Sequence, residues 1–518
     1  MMLYLQSLIS DKEEKIKYLK TANKYSKKNY TIIKELLDLN IMPEGIDIDE
    51  LIALDLNSIT KIPYNIEENL NEPLKEISFM AIGGGNNIGG SCYLLKLDNF
   101  TIMIDCGIEI VKGNNITYPD FENIKNFGLN TLDDIDLILF THAHLDHIGA
   151  IVQLYKRIKN KKDKPILMTK ETKKLTLKNF SIEEDKFYIQ EVLNSVKEVN
   201  FREKTYIKKG HSTLKIEFFS AGHILGAASI YLELDGKGIF ITGDYSLQKQ
   251  KTVNGMDIPK GYKIDLLITE NTYGSNINNS IYPRKIEEEI FKHYIKSTMK
   301  EEKRALIPAF ALGRAQEVIC LLKECFEEKF FWVYIDGLVT DICKIYKEFK
   351  INDFENILYA NENQGYDNKY DFIEREIMNK SCCIVASSGM LKDGSASSYY
   401  GEKILPDKSS TCILTGYQDE ESPGGVLKNE IENRESKYLQ LNGNIIKVNC
   451  DIKEYYLSAH CSFEEIIKFI FEIKPKTVIL VHGKVDKGEK TEINEKLSLI
   501  KNLQVIQSFN GEVYKLSL

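Results

Sequence analysis

The sequence contains no uninterrupted apolar run of the ~18 residues that a membrane span requires, so an integral membrane protein is not expected. Its 10 cysteines include no CxxC pair. They are scattered from Cys92 to Cys461 in a chain of 518 residues, a pattern of reduced thiols and not of a disulfide framework. The opening residues, Met1 to Ser10 followed by Asp11, Glu13 and Glu14, lack the basic region and small-residue cleavage site of a signal peptide, and a cytoplasmic protein is expected. No GxGxxG is present: in the cluster Gly83, Gly84, Gly85, Gly89, Gly90, Ile88 stands where the third glycine would fall, and a tight hairpin is predicted instead. Arginine is confined to seven positions, and an excess of acid gives a net charge of −8. That balance argues against a protein that meets polyanions with its whole surface and leaves a local basic groove open. There are only 8 histidines, and their placement carries the functional argument.

The length predicts about three folded units. Residues 1–74 place apolar side chains at helical spacing (Ile16, Leu19, Ile33, Leu36, Leu37) and predict a helical N-terminal extension. From Ile77 the texture changes to short apolar runs ending in turns: ISFMAIGGG, FTIMIDCG, DLILFTHAH, GIFITGDYS, DLLITENTYG. These read as buried strands of an α/β core over residues 75–274. Over 275–455, runs such as RALIPAF, FWVYIDG, SCCIVASSGM and TCILTGYQ alternate with helical stretches, predicting a smaller α/β unit. Over 456–518 the first texture returns, in YYLSAH and KTVILVHG, so the second unit reads as an insertion in the first.

The segment His142-Ala143-His144-Leu145-Asp146-His147 packs three imidazoles and a carboxylate into six residues after an apolar strand. At this histidine content, chance would place such a cluster on the order of once in ten thousand chains. Alternate residues of an extended loop can converge on one cation while the following Asp-His pair faces a second, so two adjacent metal ions are implied. A closed structural zinc site is the plainer alternative, but such sites favour thiolates and this cluster has none. His223 in SAGHILG and Asp244 in FITGDYS, each after an apolar run, are further candidate ligands.

The order Asp105 in IMIDCG, the HxHxDH cluster, His223 and Asp244 resembles the signature motifs of the metallo-β-lactamase superfamily. Glu270 in ITENTYG, His460 in LSAHCSF and His482 in ILVHG, with PAFALGRAQE, ASSGM and LTGYQ, resemble its β-CASP nuclease branch, nearest the cleavage-and-polyadenylation-factor endonucleases. The resemblance spans about residues 77–510. It implies an αββα sandwich with an inserted α/β β-CASP domain and two zinc ions per chain. It assigns His142, His144 and His223 to one ion, Asp146, His147 and His482 to the other, Asp244 as the bridge, and Asp105 as the group orienting a ligand. Asp146, Glu270 and His460 take catalytic roles, with the His460 and Glu270 pair protonating the leaving group. His482 in this position favours RNA over DNA in the family. One departure is KDGSASSYY after SSGM, where family members commonly have a glycine-rich turn.

The expected reaction is hydrolysis of RNA phosphodiesters by water activated between two metal ions. A small-molecule ester or lactone hydrolase, or a non-catalytic RNA-binding scaffold, are the competing readings. Single-stranded RNA is the expected partner. Arg314 and the turn at Ser387 and Ser388 are candidate phosphate contacts. So is the stretch Lys156–Lys178, with Lys161, Lys162 and Lys164 at its centre, against a plain solvated face. The lysine-rich stretch from Lys12 to Lys28 is a candidate RNA or homodimer contact.

Overall fold

The computed structural model describes residues 76–517 apart from 112–114, 162–163, 181–182, 275–283, 326–329, 352–353, 355–356, 361–365, 367, 434–437 and 490. The helical extension expected over 1–74, the boundary expected at 275, and Lys162 lie outside the described residues.

Two mixed seven-stranded sheets pack face to face. The first runs Val513–Leu516, Ile77–Gly83, Cys92–Leu97, Phe100–Ile104, Leu137–Leu139, Ile166–Thr169, Val196–Val199. The second runs Gln504–Gln507, Thr477–Val481, Leu266–Glu270, Lys237–Ile241, Ala228–Leu234, Ser212–Ser220, Lys204–Lys209. Every residue of the central strands FTIMI, LLITE and TVILV is buried, as expected where both faces of a sheet are covered. Between the sheets lie Phe79, Leu95, Ile102 and Leu137 from one and Phe218, Ile230, Leu266, Ile268 and Ile479 from the other. Fully burying one such side chain stabilises by about 1.5–3 kcal/mol.

Helices cover both outer faces. Ile151, Leu154, Ile189 and Val192 pack on the first sheet. On the second lies the helix Phe463–Ile473, opened by a Ser462/Glu465 capping box, with Phe469 against Tyr245 at 5.3 Å between ring centroids. The architecture is an αββα sandwich.

Leu266–Glu270 and Thr477–Val481 are parallel neighbours, so the chain between them leaves one sheet and returns to it. Within that excursion, six parallel strands form a third sheet: Ile357–Tyr359, Trp332–Asp336, Cys382–Ala386, Arg304–Pro308, Ser410–Leu414, Asp451–Glu454. Helices Arg284–Lys300, Arg314–Glu324 and Val339–Glu348 are among those flanking it.

Two expectations change. The glycine cluster does join an antiparallel pair, but through a long loop and not a tight turn. The loop reaches across the sandwich: the Gly84 carbonyl accepts the N–H of His482 (2.7 Å) and that of Asn86 the N–H of Val485 (3.1 Å). YYLSAH is not a strand either; after Tyr455 it crosses between units with no ladder partner. Its alternating Tyr455 and Leu457 are buried by packing between the units and not on a pleated face.

Candidate metal centre

The strands ending at Ile104, Leu139, Ser220, Ile241, Glu270 and Val481 all present their C-terminal ends to one edge of the sandwich, where Asp105, His142, His223, Asp244 and His482 follow their strands and Glu270 closes its own. Close approach there needs glycine: a Cβ on Gly107 would stand 1.7 Å from the Asp146 carbonyl oxygen. That contact lets Cys106 and Ile108 donate to the carbonyls of His147 and Leu145 (2.8 and 3.0 Å), fixing the one-turn helix Leu145–Ile148. Asp105 (φ 59°) and His482 (φ 51°) hold left-handed backbone that non-glycine residues seldom adopt, local strain of the kind functional sites store.

Three groups of possible metal donors share Asp244: two rich in imidazole, and a third made of Asp244, Glu270 and His460. In one of the two imidazole-rich clusters, His142 Nε2 and His223 Nε2 each lie 3.1 Å from His144 Nδ1, with Asp244 Oδ2 at 3.6 Å from His142 and 3.7 Å from His223. In the other, His147 Nε2 is 3.2 Å from Asp244 Oδ1, and His482 Nε2 is 3.4 Å from Asp146 Oδ2. The outward nitrogen of each imidazole faces a protein oxygen: Thr141 for His142 (3.1 Å), the Leu312 carbonyl for His144 (3.2 Å), Asp105 for His147 (2.8 Å), the Ala459 carbonyl for His223 (2.9 Å) and Thr272 for His482 (3.1 Å). This arrangement turns the other nitrogen of each ring inward, as metal ligation requires. Burial, then neighbouring imidazoles, holds His142 and His223 well below the usual histidine range and so uncharged. Asp244 is 2% exposed and its Oδ1, although 3.2 Å from His147 Nε2, accepts no well-aligned hydrogen bond, a need that a cation would satisfy. The donor set, imidazole and carboxylate without thiolate, fits two divalent ions such as zinc.

Beside the shared carboxylate lies a second kind of pair. His460 Nδ1 is 2.8 Å from Glu270 Oε2 and 4.0 Å from Asp244 Oδ2. Glu270 is fixed by the Tyr245 N–H (2.7 Å) and by the Thr272 hydroxyl. Burial opposes a charge on His460, but Glu270 and Asp244 outweigh it and push its pKa up to about 9. The ring remains 21% exposed, open to a substrate.

The RNA candidates divide. Arg314 is the first residue of helix Arg314–Glu324, two residues beyond the Leu312 carbonyl that meets His144, and burial followed by the charge of Arg284 lowers its pKa to about 10. Ser387 and Ser388 are engaged internally, their hydroxyls accepting the N–H groups of Leu338 (3.1 Å) and Lys392 (2.8 Å). Lys161 and Lys164 sit at the opposite end of the first sheet from the histidines. Lys164 donates to the carbonyls of Asp133 and Ile135, and Lys161 lies over the Tyr155 ring near Glu191, so neither is brought to the centre. Sequence reasoning missed Thr272, Tyr273, Leu312 and Ala459. Thr272 and Tyr273 had a signal, their place directly after Glu270; the two carbonyls had none.

Three family descriptions match the chain in order: a metallo-β-lactamase superfamily domain over 94–272, a β-CASP domain over 315–427, and a Zn-dependent metallo-hydrolase RNA specificity domain over 445–495. The chain is 31% identical to a probable RNase of Methanocaldococcus jannaschii, over 77% of this chain and 92% of that one. It is 28% identical to cleavage and polyadenylation specificity factor subunit 3 of Dictyostelium discoideum, over 86% of this chain but 59% of that one. A crystal structure of a protein of unknown function from Enterococcus faecalis shares the fold at a TM-score of 0.53 and 15% identity, covering 85% of this chain and 100% of that one. The chain therefore belongs to the β-CASP family of metallo-β-lactamase-type hydrolases.

Proposed function

We propose that the protein is a zinc-dependent ribonuclease that hydrolyses phosphodiester bonds of single-stranded RNA. The observation that carries this reading is the pair of clusters sharing Asp244, with the His460 and Glu270 pair directly beside them. The matched RNA specificity domain, which contains both His460 and His482, and the relatives named as RNases support the choice of RNA.

In this reading His142, His144 and His223 would hold one ion and Asp146, His147 and His482 the other, with Asp244 available to both. Such ions, when bound, supply a Lewis acid for the phosphate oxygens and lower the pKa of water. Asp105 fixes the ring of His147, and Thr272 that of His482. Glu270 holds His460 through Nδ1, which leaves Nε2 as the atom that gives a proton to the departing oxygen. Leu312, reaching from the insert onto His144, closes one side of the centre.

The test is incubation of the purified protein with end-labelled and internally labelled RNA, with and without a chelator. Cleavage that chelation abolishes and zinc restores is expected. Undiminished cleavage after exhaustive metal removal would sink the reading.

A further inference from the structure

One buried side chain ties together the two crossings between sandwich and insert. Arg284, the first residue of helix Arg284–Lys300, is 6% exposed. Its Nη1 donates to the carbonyls of Leu457 (3.1 Å) and Ser458 (2.6 Å), its Nη2 to Glu317 Oε2 (3.0 Å), and its Nε to Glu288 Oε1 (2.9 Å). Glu317, 2% exposed on the helix Arg314–Glu324, also accepts the N–H groups of Lys251 and Thr252 (2.8 and 2.6 Å) from the loop that follows Asp244. Two helices of the insert, a loop of the sandwich and the returning segment thus meet at one guanidinium.

A buried ion cluster is a weak source of stability, because desolvation offsets its attraction and apolar groups of similar volume often serve as well. What a guanidinium adds is direction, since its donors form a rigid planar fork. Direction matters here because no strand ladder holds 456–460. Ser458 passes the constraint on: its hydroxyl accepts the His460 N–H (3.1 Å) and donates to the Tyr273 hydroxyl (3.1 Å), and the Tyr273 ring meets that of His460 edge-on at 6.0 Å. The carbonyl that Arg284 grips most closely belongs to the residue that fixes the backbone of His460.

We propose that Arg284 is a positioning residue for His460. By holding Leu457 and Ser458 from the insert, it sets the imidazole against Glu270, so that proton donation depends on how the insert is docked. The proposal rests on the reading of His460 as the proton donor.

The test compares wild type, Arg284→Met, Arg284→Lys, His460→Ala and the double variant Arg284→Met/His460→Ala, all full-length and metal-loaded, for kcat, KM and metal content on one RNA. Arg284→Met is expected to lower kcat by up to ~10²-fold, the scale of a 1 Å misplacement, with KM and metal content held. Arg284→Lys, which keeps the charge without the fork, should fall between. The double variant should be no slower than His460→Ala alone, because a group that acts through another adds nothing once the other is gone. Losses that multiply in the double variant would overturn the proposal, as would an unchanged kcat in folded Arg284→Met. Metal loss equal to that of His223→Ala would also overturn it, since Arg284 would then act through the Ala459 carbonyl. If Arg284→Met does not fold, Glu317→Gln must give the same kcat-only loss, and a wild-type rate there rejects the idea. A wild-type rate in His460→Ala removes the proton-donor reading itself, whatever the Arg284 variants do.

Discussion

The candidate metal centre and the proposed proton-donor pair lie side by side but are built differently. Most of the seven candidate metal donors hang from the ends of strands whose alternate residues pack between the two sheets, and the outward nitrogen of each of the five imidazoles is held by a protein oxygen. His460 instead rides on an irregular crossing to which Arg284 donates, and its own N–H is accepted by the Ser458 hydroxyl and its ring by the Glu270 carboxylate. The first arrangement places atoms mainly by the geometry of the sandwich, with Leu312 and Ala459 orienting two rings from outside it; the second places one atom by the docking of another unit. Metal content and turnover should therefore respond to different mutations.

The sharpest way to break this contrast is Asp244→Asn, which strips the group shared by both clusters. It should empty the centre and abolish cleavage, a loss beyond the ~10²- to 10⁴-fold that removal of a general acid costs. Full zinc occupancy in this variant, read by metal analysis, would reject the ligand assignment. His460→Ala comes next: turnover should fall by ~10²- to 10⁴-fold while about two ions remain. A substrate with an activated leaving group should restore part of the rate in His460→Ala and none in His482→Ala. Should His460→Ala lose zinc as His482→Ala does, His460 belongs among the ligands. Asp105→Asn, which disturbs the support of His147 and, through Thr141, that of His142, should weaken metal affinity by ~10- to 100-fold, and a titration with unchanged affinity would contradict that role. The smallest effect is expected at Lys161→Gln. It removes one exposed ion pair at the far end of the sheet, so the slope of RNA affinity against salt should stay at its wild-type value. A shallower slope would return this lysine to the RNA path.

Much of this centre was legible because its donors are side chains placed just after apolar runs. Thr141 to His147 follows LILF, Asp244 follows GIFI, and His482 follows TVILV, so pattern and chemistry coincide. The parts that escaped notice are contacts without a side-chain signature. The Leu312 and Ala459 carbonyls meet His144 and His223 across 168 and 236 residues of sequence, and any residue type could supply them. Arg284 was legible only as one arginine among seven. YYLSAH misled for the opposite reason: its apolar residues alternate as in a strand, yet they are buried in a junction, where the partner surface and not the pleat sets the pattern. The lysine stretch looked like a phosphate track because charge counts carry no direction. In the fold its members are spent on Glu191, Glu198, Glu348 and Asp341.

The 2.8 Å contact between Glu270 and His460 also has a modular meaning. Glu270 ends the last strand before the excursion and His460 stands at its return, so departure and homecoming of the chain are one hydrogen bond apart. A graft spliced between two points that close together needs only a short splice in the sandwich, and every candidate donor of the two imidazole-rich clusters belongs to the host, although Leu312 and Ala459 of the excursion orient two of them. The His460 and Glu270 pair, the proposed proton donor, is created by the splice: half of it lies on each side of the junction. A host relieved of its graft by a short peptide from Glu270 to Ser462 would keep all seven candidate donors but lose His460 and, with Thr272, Leu312 and Ala459, the partners that orient His482, His144 and His223.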